Sequence, residues 1–302
     1  MDEEKTFDKK GTIKYLFWAF FIAWVMQGAV FVLIQRGQVS AGQLLMAGLM
    51  FAPLLAVVLS GNKLKGMGWI PRLSGNFKNL LAAWFLPGIL TIAGAALYFL
   101  IFPGHFDMSG AALVAEGGTA VMDKLEEQGM TYSDYIVTAL IGCFTYAPLI
   151  NMLPAIGEEA GWRGYLYPQL KLQYGTVQGR IFGGIIWGIW HWPLIVLNGY
   201  EYGRDYFGFP VTGMIIFCVF TVLCGILCDW VYERSECIWF PAILHGSFNA
   251  IGTIPMAVCA VNTGSCVLLG PAPNGLIAEI PMIIFAALQF TWCTNTDGRY
   301  RW

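Results

Sequence analysis

The chain has 302 residues, of which 57% are hydrophobic and only 12% are charged, and its mean hydropathy is +0.61. Soluble domains carry roughly one quarter charged residues, so this composition excludes an ordinary soluble domain and indicates an integral membrane protein. The formal net charge of −2 is close to neutral and gives no reason to expect binding to nucleic acid or to an acidic surface.

Apolar segments about 20 residues long follow one another along the chain, which is the length that a helix needs to cross a bilayer. The first has no small-residue cleavage site and is expected to be retained as a helix. These segments predict an all-α, polytopic membrane protein with about eight transmembrane helices in a bundle. The predicted spans are residues 15–34, 41–60, 79–102, 135–157, 180–198, 209–228, 238–260 and 275–293.

The organisation outside the spans is simple. No internal repeat or linker separates them, so we expect a single membrane-embedded domain over residues 15–293, with tails at residues 1–14 and 294–302. The longest connection, residues 103–134, is acidic and contains an amphipathic segment near residues 120–128. We expect this connection to form a solvated cap on the outer side.

The positions of lysine and arginine predict the orientation. If the N-terminus is cytosolic and the spans alternate, 14 of the 17 basic residues fall on the cytosolic side. Arg36, Lys124 and Arg204 fall outside. The positive-inside rule therefore favours a multi-pass protein with both termini in the cytosol, and we expect it in the cytoplasmic membrane of a prokaryote.

A few ionisable residues lie in or beside the apolar spans, where a charge costs roughly 2.5 to 3.5 kcal/mol even on a lenient scale. Such groups should therefore face protein or water and are candidates for a functional site. Asp229 borders the sixth span and is expected to be solvated, and Glu279 is expected to be interfacial or paired. The remaining candidates are Glu158, Glu159, Arg163, His191 and His245.

Helical spacing separates the two glutamates of the segment GEEAGWRG, residues 157–164. Residues four apart share a helix face, so Glu159 and Arg163 should form a pair that supports the helix. Glu158 points to the side of Trp162 and is left without a local counter-charge, as a catalytic base often is. The alternative is that the fourth helix ends at Ile156 and these charges are its solvated flank.

Two further helices present polar groups. His191 follows Trp187 by four residues, and Asn249 follows His245 by four. At 1.5 Å per residue, His245 and His191 should lie about 10 and 16 Å from the cytosolic ends of their helices. If the fourth helix is tilted or recessed, we expect both histidines, Asn249 and Glu158 to line one polar cavity that faces the cytosol.

These four side chains would suffice for amide hydrolysis. A carboxylate and an imidazole can hold and deprotonate water, while a second imidazole and a carboxamide can stabilise an oxyanion. The sequence has neither a G-x-S-x-G elbow nor an H-E-x-x-H motif. The favoured mechanism therefore requires no cofactor, although Glu158, His191 and His245 would be an acceptable zinc ligand set.

At these residues the sequence resembles the CAAX-protease and bacteriocin-processing family of intramembrane proteases, which includes the Ras-converting prenyl endopeptidases. The family motifs E-E-x-x-x-R, F-x-x-x-H and H-x-x-x-N correspond in order to EEAGWR (158–163), WGIWH (187–191) and HGSFN (245–249). Each motif is weak alone, but the three together are specific. The resemblance covers roughly residues 135–260.

The resemblance implies an eight-helix bundle and assigns roles by position. Glu158 would be the general base and share its water with His191, while His245 and Asn249 would form the oxyanion site. Glu159 and Arg163 would support the helix. Trp187 departs from the usual phenylalanine of the family and could narrow the cavity.

Three function classes remain open at this stage. The favoured one is an endopeptidase that cleaves a peptide or lipid-modified protein at the membrane, whether a prenylated CAAX protein, a bacteriocin or a signalling peptide. A non-catalytic regulator of the same family should have lost motif residues, and all the polar ones are present. A transporter could also use intramembrane glutamates and histidines, but related halves with broken helices are not evident.

Overall fold

The computed structural model describes residues 6–115 and 117–295, without the side chains of residues 290–295. Within these ranges the chain is helical, and its only β-type pairing is an isolated bridge between Phe106 and Cys259. The all-α prediction is therefore confirmed. The helices are α1 (Lys9–Gln35), α2 (Val39–Leu49), α3 (Ala52–Leu59), α4 (Phe77–Ile101), α5 (Ala111–Ala115), α6 (Thr119–Glu127), α7 (Tyr132–Phe144), α8 (Ala147–Gly161), α9 (Tyr167–Tyr174), α10 (Thr176–Trp190), α11 (Trp192–Asn198), α12 (Val211–Ser235), α13 (Trp239–Ile251), α14 (Ile254–Ala257) and α15 (Ile280–Asn295).

Length and apolar composition identify fewer spans than predicted. In the described part of the chain, α1, α4, α12 and the segment Thr176–Asn198 are each long enough to cross a membrane. Two bent pairs raise the total to six: α2 with α3, bent by 47°, and α7 with Ala147–Tyr174, bent by 53°.

The predicted count of eight is not confirmed, because the last two predicted spans form shorter helices. Helix α13 has 13 residues and is about 20 Å long, since the predicted seventh span breaks after Ile251. Helix α15, which corresponds to the predicted eighth span, begins at Ile280 rather than at residue 275.

The loops fall into two sets at opposite ends of the bundle. The N-terminal face comprises residues 6–8, 60–76 and 236–238, and its loops touch: the Ile238 N–H donates to the Gly68 carbonyl at 3.1 Å. The distal face comprises residues 102–131, 199–210 and 252–279. There the Phe207 N–H donates to the Ser265 hydroxyl oxygen at 2.8 Å. The two sets define the two ends of the bundle from which a central site could be reached.

Helix α8 lies at the centre of the bundle because glycines let its neighbours approach closely. A Cβ atom on Gly157 would lie 2.6 Å from the Met50 carbonyl oxygen, and one on Gly161 would lie 2.3 Å from Pro53 Cβ. On the other side, a Cβ on Gly246 of α13 would lie 2.6 Å from the Met152 nitrogen. Small residues at helix contacts are typical of membrane bundles, and here they bury the part of α8 that carries Glu158.

The helix that carries the glutamates does not end where the apolar run ends. It continues through one π-helical turn, Trp162–Leu166, into α9 and stops at Tyr174. Glu158 is 2% exposed, and Glu159 and Arg163 are fully buried. The expectation of a helix end near Ile156, with or without a solvated flank, was therefore wrong, and these residues lie midway along a long bent helix.

Near the N-terminal face, four charged side chains tie α9, α10 and α12 together. Lys171 Nζ lies 2.7 Å from Asp229 Oδ1 and 2.8 Å from Glu233 Oε1, and Arg180 reaches the other oxygen of each carboxylate at 2.6 Å. Asp229 is completely buried, so its predicted solvated position was wrong. The sequence did not indicate these partners because they are 49 to 62 residues apart.

Candidate active site

A cavity of about 770 Å³ lies in the distal half of the bundle and brings together the four predicted site residues. Glu158 comes from α8, His191 from the break between α10 and α11, and His245 and Asn249 from α13. Much of the remaining wall is apolar. Its larger side chains include Met46, Leu49, Leu194, Phe217, Phe220 and Phe248.

Two indoles hold one oxygen of Glu158. Trp187 Nε1 donates to Oε2 at 2.7 Å, and Trp162 Nε1 donates to the same oxygen at 3.2 Å. The other oxygen, Oε1, accepts no hydrogen bond from the described residues and is not sealed from the cavity. The carboxylate is therefore fixed through one oxygen and presents the other to the cavity.

The hydrogen bond of His191 determines which ring nitrogen carries the proton in the neutral ring. Nδ1 lies 3.0 Å from the Trp187 carbonyl oxygen, and a carbonyl can only accept, so Nδ1 carries hydrogen. The ring stacks on Tyr200 at 6.0 Å and meets the edge of Phe217 at 5.0 Å. Nε2 of the neutral ring is therefore an acceptor whose orientation is set by aromatic packing.

His245 is oriented by Glu159, which the sequence analysis had only paired with Arg163. Glu159 Oε1 accepts from Arg163 Nη1 at 2.9 Å and lies 2.9 Å from His245 Nδ1. The Arg163 guanidinium also packs over the rings of Tyr167 at 4.7 Å and Trp187 at 4.6 Å. The predicted Glu159–Arg163 pair is therefore present. Glu159 also sets the orientation of the His245 ring, whose Nε2 makes no hydrogen bond to the described residues.

Asn249 lies one helical turn beyond His245 and is exposed to the cavity. Its carboxamide makes no hydrogen bond to the described residues, so its N–H groups are available to a bound group. His245 Nε2, when protonated, would be a second donor. Together they could serve a developing oxyanion, as the resemblance implies.

The alternative zinc ligand set fits this arrangement poorly. In the described ranges, no three His, Cys, Asp or Glu side chains are grouped as a metal ion would require. We therefore derive no reaction step through a metal at Glu158, His191 and His245.

A second carboxylate in the cavity was missed by the sequence analysis. Glu201 lies on the loop after α11 with a positive φ of 69°, and its Oε2 accepts from Asn274 Nδ2 at 2.9 Å. Its exposed surface faces the cavity, and the surrounding protein raises the pKa of the Glu201 carboxyl by desolvation. Because Glu201 and Asn274 lie in loops 73 residues apart, no spacing rule indicated them.

Glu279 does not join this site. It is fully buried at the start of α15, and neither of its carboxylate oxygens has a hydrogen-bond partner among the described residues. The interfacial or paired position expected for it was therefore wrong.

The fold and the site define a class: an integral membrane protein of apolar helices whose internal cavity holds a carboxylate, two imidazoles and a carboxamide. Comparison with known proteins is consistent with this class. Residues 141–251 match a family described as type II CAAX prenyl endopeptidase Rce1-like. This segment carries all three motifs that resemble those of the CAAX-protease and bacteriocin-processing family.

A curated relative supports the same family. CAAX prenyl protease 2 of Methanococcus maripaludis is 26% identical over 173 residues, which cover 57% of this chain and 60% of the relative. The similarity therefore extends beyond the three motifs but leaves part of each protein unmatched.

Trp187 offers a test within the site, because it replaces the usual phenylalanine of the family. We expect Trp187→Phe to lower substrate turnover about 10- to 100-fold, since hydrogen bonds to charged groups contribute about 1.5 to 3 kcal/mol. The measurement is initial rate of peptide cleavage at saturating substrate. Trp230→Phe is the matched control, because Trp230 packs on Phe285 outside the cavity. Equal rates for the wild type and Trp187→Phe would show that the indole N–H does not position Glu158.

Proposed function

We propose that this protein is an intramembrane endopeptidase that hydrolyses a peptide bond of a membrane-associated polypeptide with a water molecule activated by Glu158 and His191. The observation that carries the proposal is the free Oε1 of Glu158, which faces the same cavity as His191, His245 and Asn249. The family of residues 141–251 supports a peptidase over a transporter.

The proposed reaction uses groups of this chain and water. A water molecule donates one hydrogen to Glu158 Oε1 and the other to His191 Nε2. As its oxygen attacks the peptide carbonyl, Glu158 takes the first proton, and the negative charge that forms on the carbonyl oxygen accepts hydrogen bonds from His245 Nε2–H and Asn249. Glu158 then gives its proton to the departing amine nitrogen, the C–N bond breaks, and a carboxylic acid and an amine leave.

The apolar cavity wall favours a substrate that carries apolar groups. A peptide that carries a lipid or enters from the membrane would bury apolar groups against Phe217, Phe220 and Phe248. A prenylated CAAX protein, a bacteriocin and a signalling peptide all meet this description. The curated relative is named for the first of these, a CAAX prenyl substrate.

The test is cleavage of synthetic peptides by purified protein in detergent, with a farnesylated CAAX peptide and its unmodified form as the two substrates. We expect His191→Ala to lower the rate about 100-fold or more, and Asn249→Ala by about 100-fold to 1,000-fold. Activity should be unchanged by a chelator. Thr253→Ala is the control, because Thr253 also lines the cavity but has no proposed role in the reaction.

Two outcomes would overturn parts of this proposal. Full activity in His191→Ala and Asn249→Ala would place the chemistry elsewhere. Loss of wild-type activity with chelator, restored by added zinc, would replace the glutamate-activated water with metal-activated water.

A further inference from the structure

The lining of the cavity reaches only one end of the bundle. Apart from residues on the long helices, its lining comes from distal-face segments, and none of it comes from the N-terminal-face loops 60–76 and 236–238. The distal contributors are Ala112, Leu113, Tyr200, Glu201, Thr253, Ile254, Met256, Ala257, Ala272, Pro273 and Asn274. A substrate in water would therefore reach Glu158 from the distal face.

On the opposite side, buried side chains separate the cavity from the N-terminal face. Directly behind Glu158 lie Trp162, Arg163 and Tyr167, all fully buried. Beyond them, the ion-paired side chains of Arg180 and Asp229 are also buried and join α10 to α12. Opening this side would expose or break charge pairs, so a passage through it is unfavourable.

The exposed basic residues indicate which face is cytosolic. Residues that are paired inside the protein, such as Arg163, cannot contribute to the asymmetry of the loops and are left out. Among the exposed lysines and arginines of the described chain, eight lie in the loops of the N-terminal face or in the adjoining helix ends of α1, α4 and α12: Lys9, Lys10, Lys14, Lys63, Lys65, Arg72, Lys78 and Arg234. Three lie in the loops of the distal face or at the distal end of α1: Arg36, Lys124 and Arg204. The positive-inside rule therefore places the N-terminal face in the cytosol.

These observations conflict with the sequence-based expectation of a cavity that faces the cytosol. A cytosolic N-terminus and a cytosolic cavity mouth cannot both hold, because the mouth and the N-terminus are at opposite ends of the bundle. The distribution of the exposed basic residues supports a cytosolic N-terminus. The expected cytosolic cavity depended on a helix end at Glu158, whereas the helix extends a further 16 residues towards the N-terminal face.

We propose that the cavity opens to the extracytoplasmic side and that its substrate is a polypeptide segment that reaches the site from that side, in an exported or membrane-anchored protein. The proposed access route depends only on the residues that line the cavity and on the exposed basic residues. The proposed substrate class depends in addition on the proposed peptidase function. Of the substrates considered above, a protein whose lipidated end is in the cytosol would then be excluded.

Thiol labelling in intact cells tests the access route. The background replaces Cys218, Cys266 and Cys293 with serine, since the other five cysteines are buried. Single cysteines are then placed at Lys63 on the N-terminal face, at Lys124 on the distal face and at Glu201 in the cavity. The probe is 2-(trimethylammonium)ethyl methanethiosulfonate, which carries a fixed charge and does not cross membranes.

We expect Lys124→Cys and Glu201→Cys to react in intact cells and Lys63→Cys to react at least tenfold more slowly until the cells are broken. Reaction of Lys63→Cys but not Lys124→Cys in intact cells would reverse the orientation and overturn the proposal. Protection of Glu201→Cys from outside would overturn it too, because the cavity would then lack a distal opening. If the background does not fold, protease digestion of an N-terminal tag on the wild-type chain in spheroplasts decides the orientation.

Vesicles of known orientation test the substrate class separately. Wild-type protein in right-side-out vesicles should cleave a charged, membrane-impermeant peptide, one first shown to be a substrate in detergent, at least tenfold faster than in inverted vesicles. Faster cleavage in inverted vesicles would overturn access from outside while leaving the peptidase intact. Absence of cleavage in detergent would instead overturn the proposed function.

Discussion

Replacing Glu158 with glutamine is expected to reduce peptide cleavage by about 10⁴-fold, the upper end of what a general base contributes. Glutamine keeps the shape of the side chain, and its amide oxygen can still accept from Trp162 and Trp187. It cannot take a proton from water at Oε1. The loss should therefore appear in the turnover rate, whereas the affinity for an uncleaved peptide analogue should change little.

The matched control for this prediction is Glu127→Gln, which removes an exposed carboxylate from the last residue of α6 on the distal face. We expect this variant to cleave at the wild-type rate. The melting temperatures of both variants in detergent should equal that of the wild type within a few degrees. A Glu158→Gln protein that is folded and retains more than a tenth of the activity would show that Glu158 is not the base.

Replacing Arg163 with methionine should destabilise the protein by about 3 to 5 kcal/mol, because the substitution leaves the Glu159 carboxylate buried without its guanidinium. Methionine fills much of the same volume, so the loss of charge dominates over the loss of packing. The measurement is the free energy of unfolding in mixed detergent micelles with increasing denaturing detergent. Peptide cleavage should fall as well, since Glu159 also orients His245.

A second arginine–glutamate pair supplies the control for the effect of burial. Arg72 contacts Glu236 on the N-terminal face, with side chains 56% and 65% exposed. Exposed pairs contribute about 0 to 1 kcal/mol, so Arg72→Met should change the free energy of unfolding by less than about 1 kcal/mol. Equal effects of the two substitutions would mean that the Glu159–Arg163 pair is as well solvated as the exposed one, contrary to the structure.

Contacts within one helix could be predicted from the sequence. Glu159 meets Arg163 and Glu158 meets Trp162, because residues four apart lie on the same face of any α-helix. The amphipathic segment predicted near residues 120–128 is helix α6, whose Leu125 packs against Tyr132 and Ile136. These predictions needed only helix geometry and the alternation of polar and apolar residues.

Contacts between distant segments could not be predicted in this way. Glu159 and His245 are 86 residues apart, and Trp187 is 29 residues from Glu158, yet each pair shares a hydrogen bond. Asp229 looked like a solvated flank because its partners lie on two other helices. Such contacts depend on how helices pack, which at α8 is set by the close approach that Gly157 and Gly161 allow.

The sequence by itself determined that this is a membrane protein of apolar helices, and it singled out the polar residues that the bilayer would otherwise exclude. The cost of burying charge in hydrocarbon makes such residues conspicuous in any arrangement of the helices. Only the tertiary structure decided that Glu158 lies midway along a bent helix, that Glu159 orients His245, and that the cavity opens at the distal face. Those features depend on where helices break and on which helix faces pack together. The apolar segments of the sequence do not indicate either, because a lipid-facing leucine and a protein-facing leucine are equally hydrophobic.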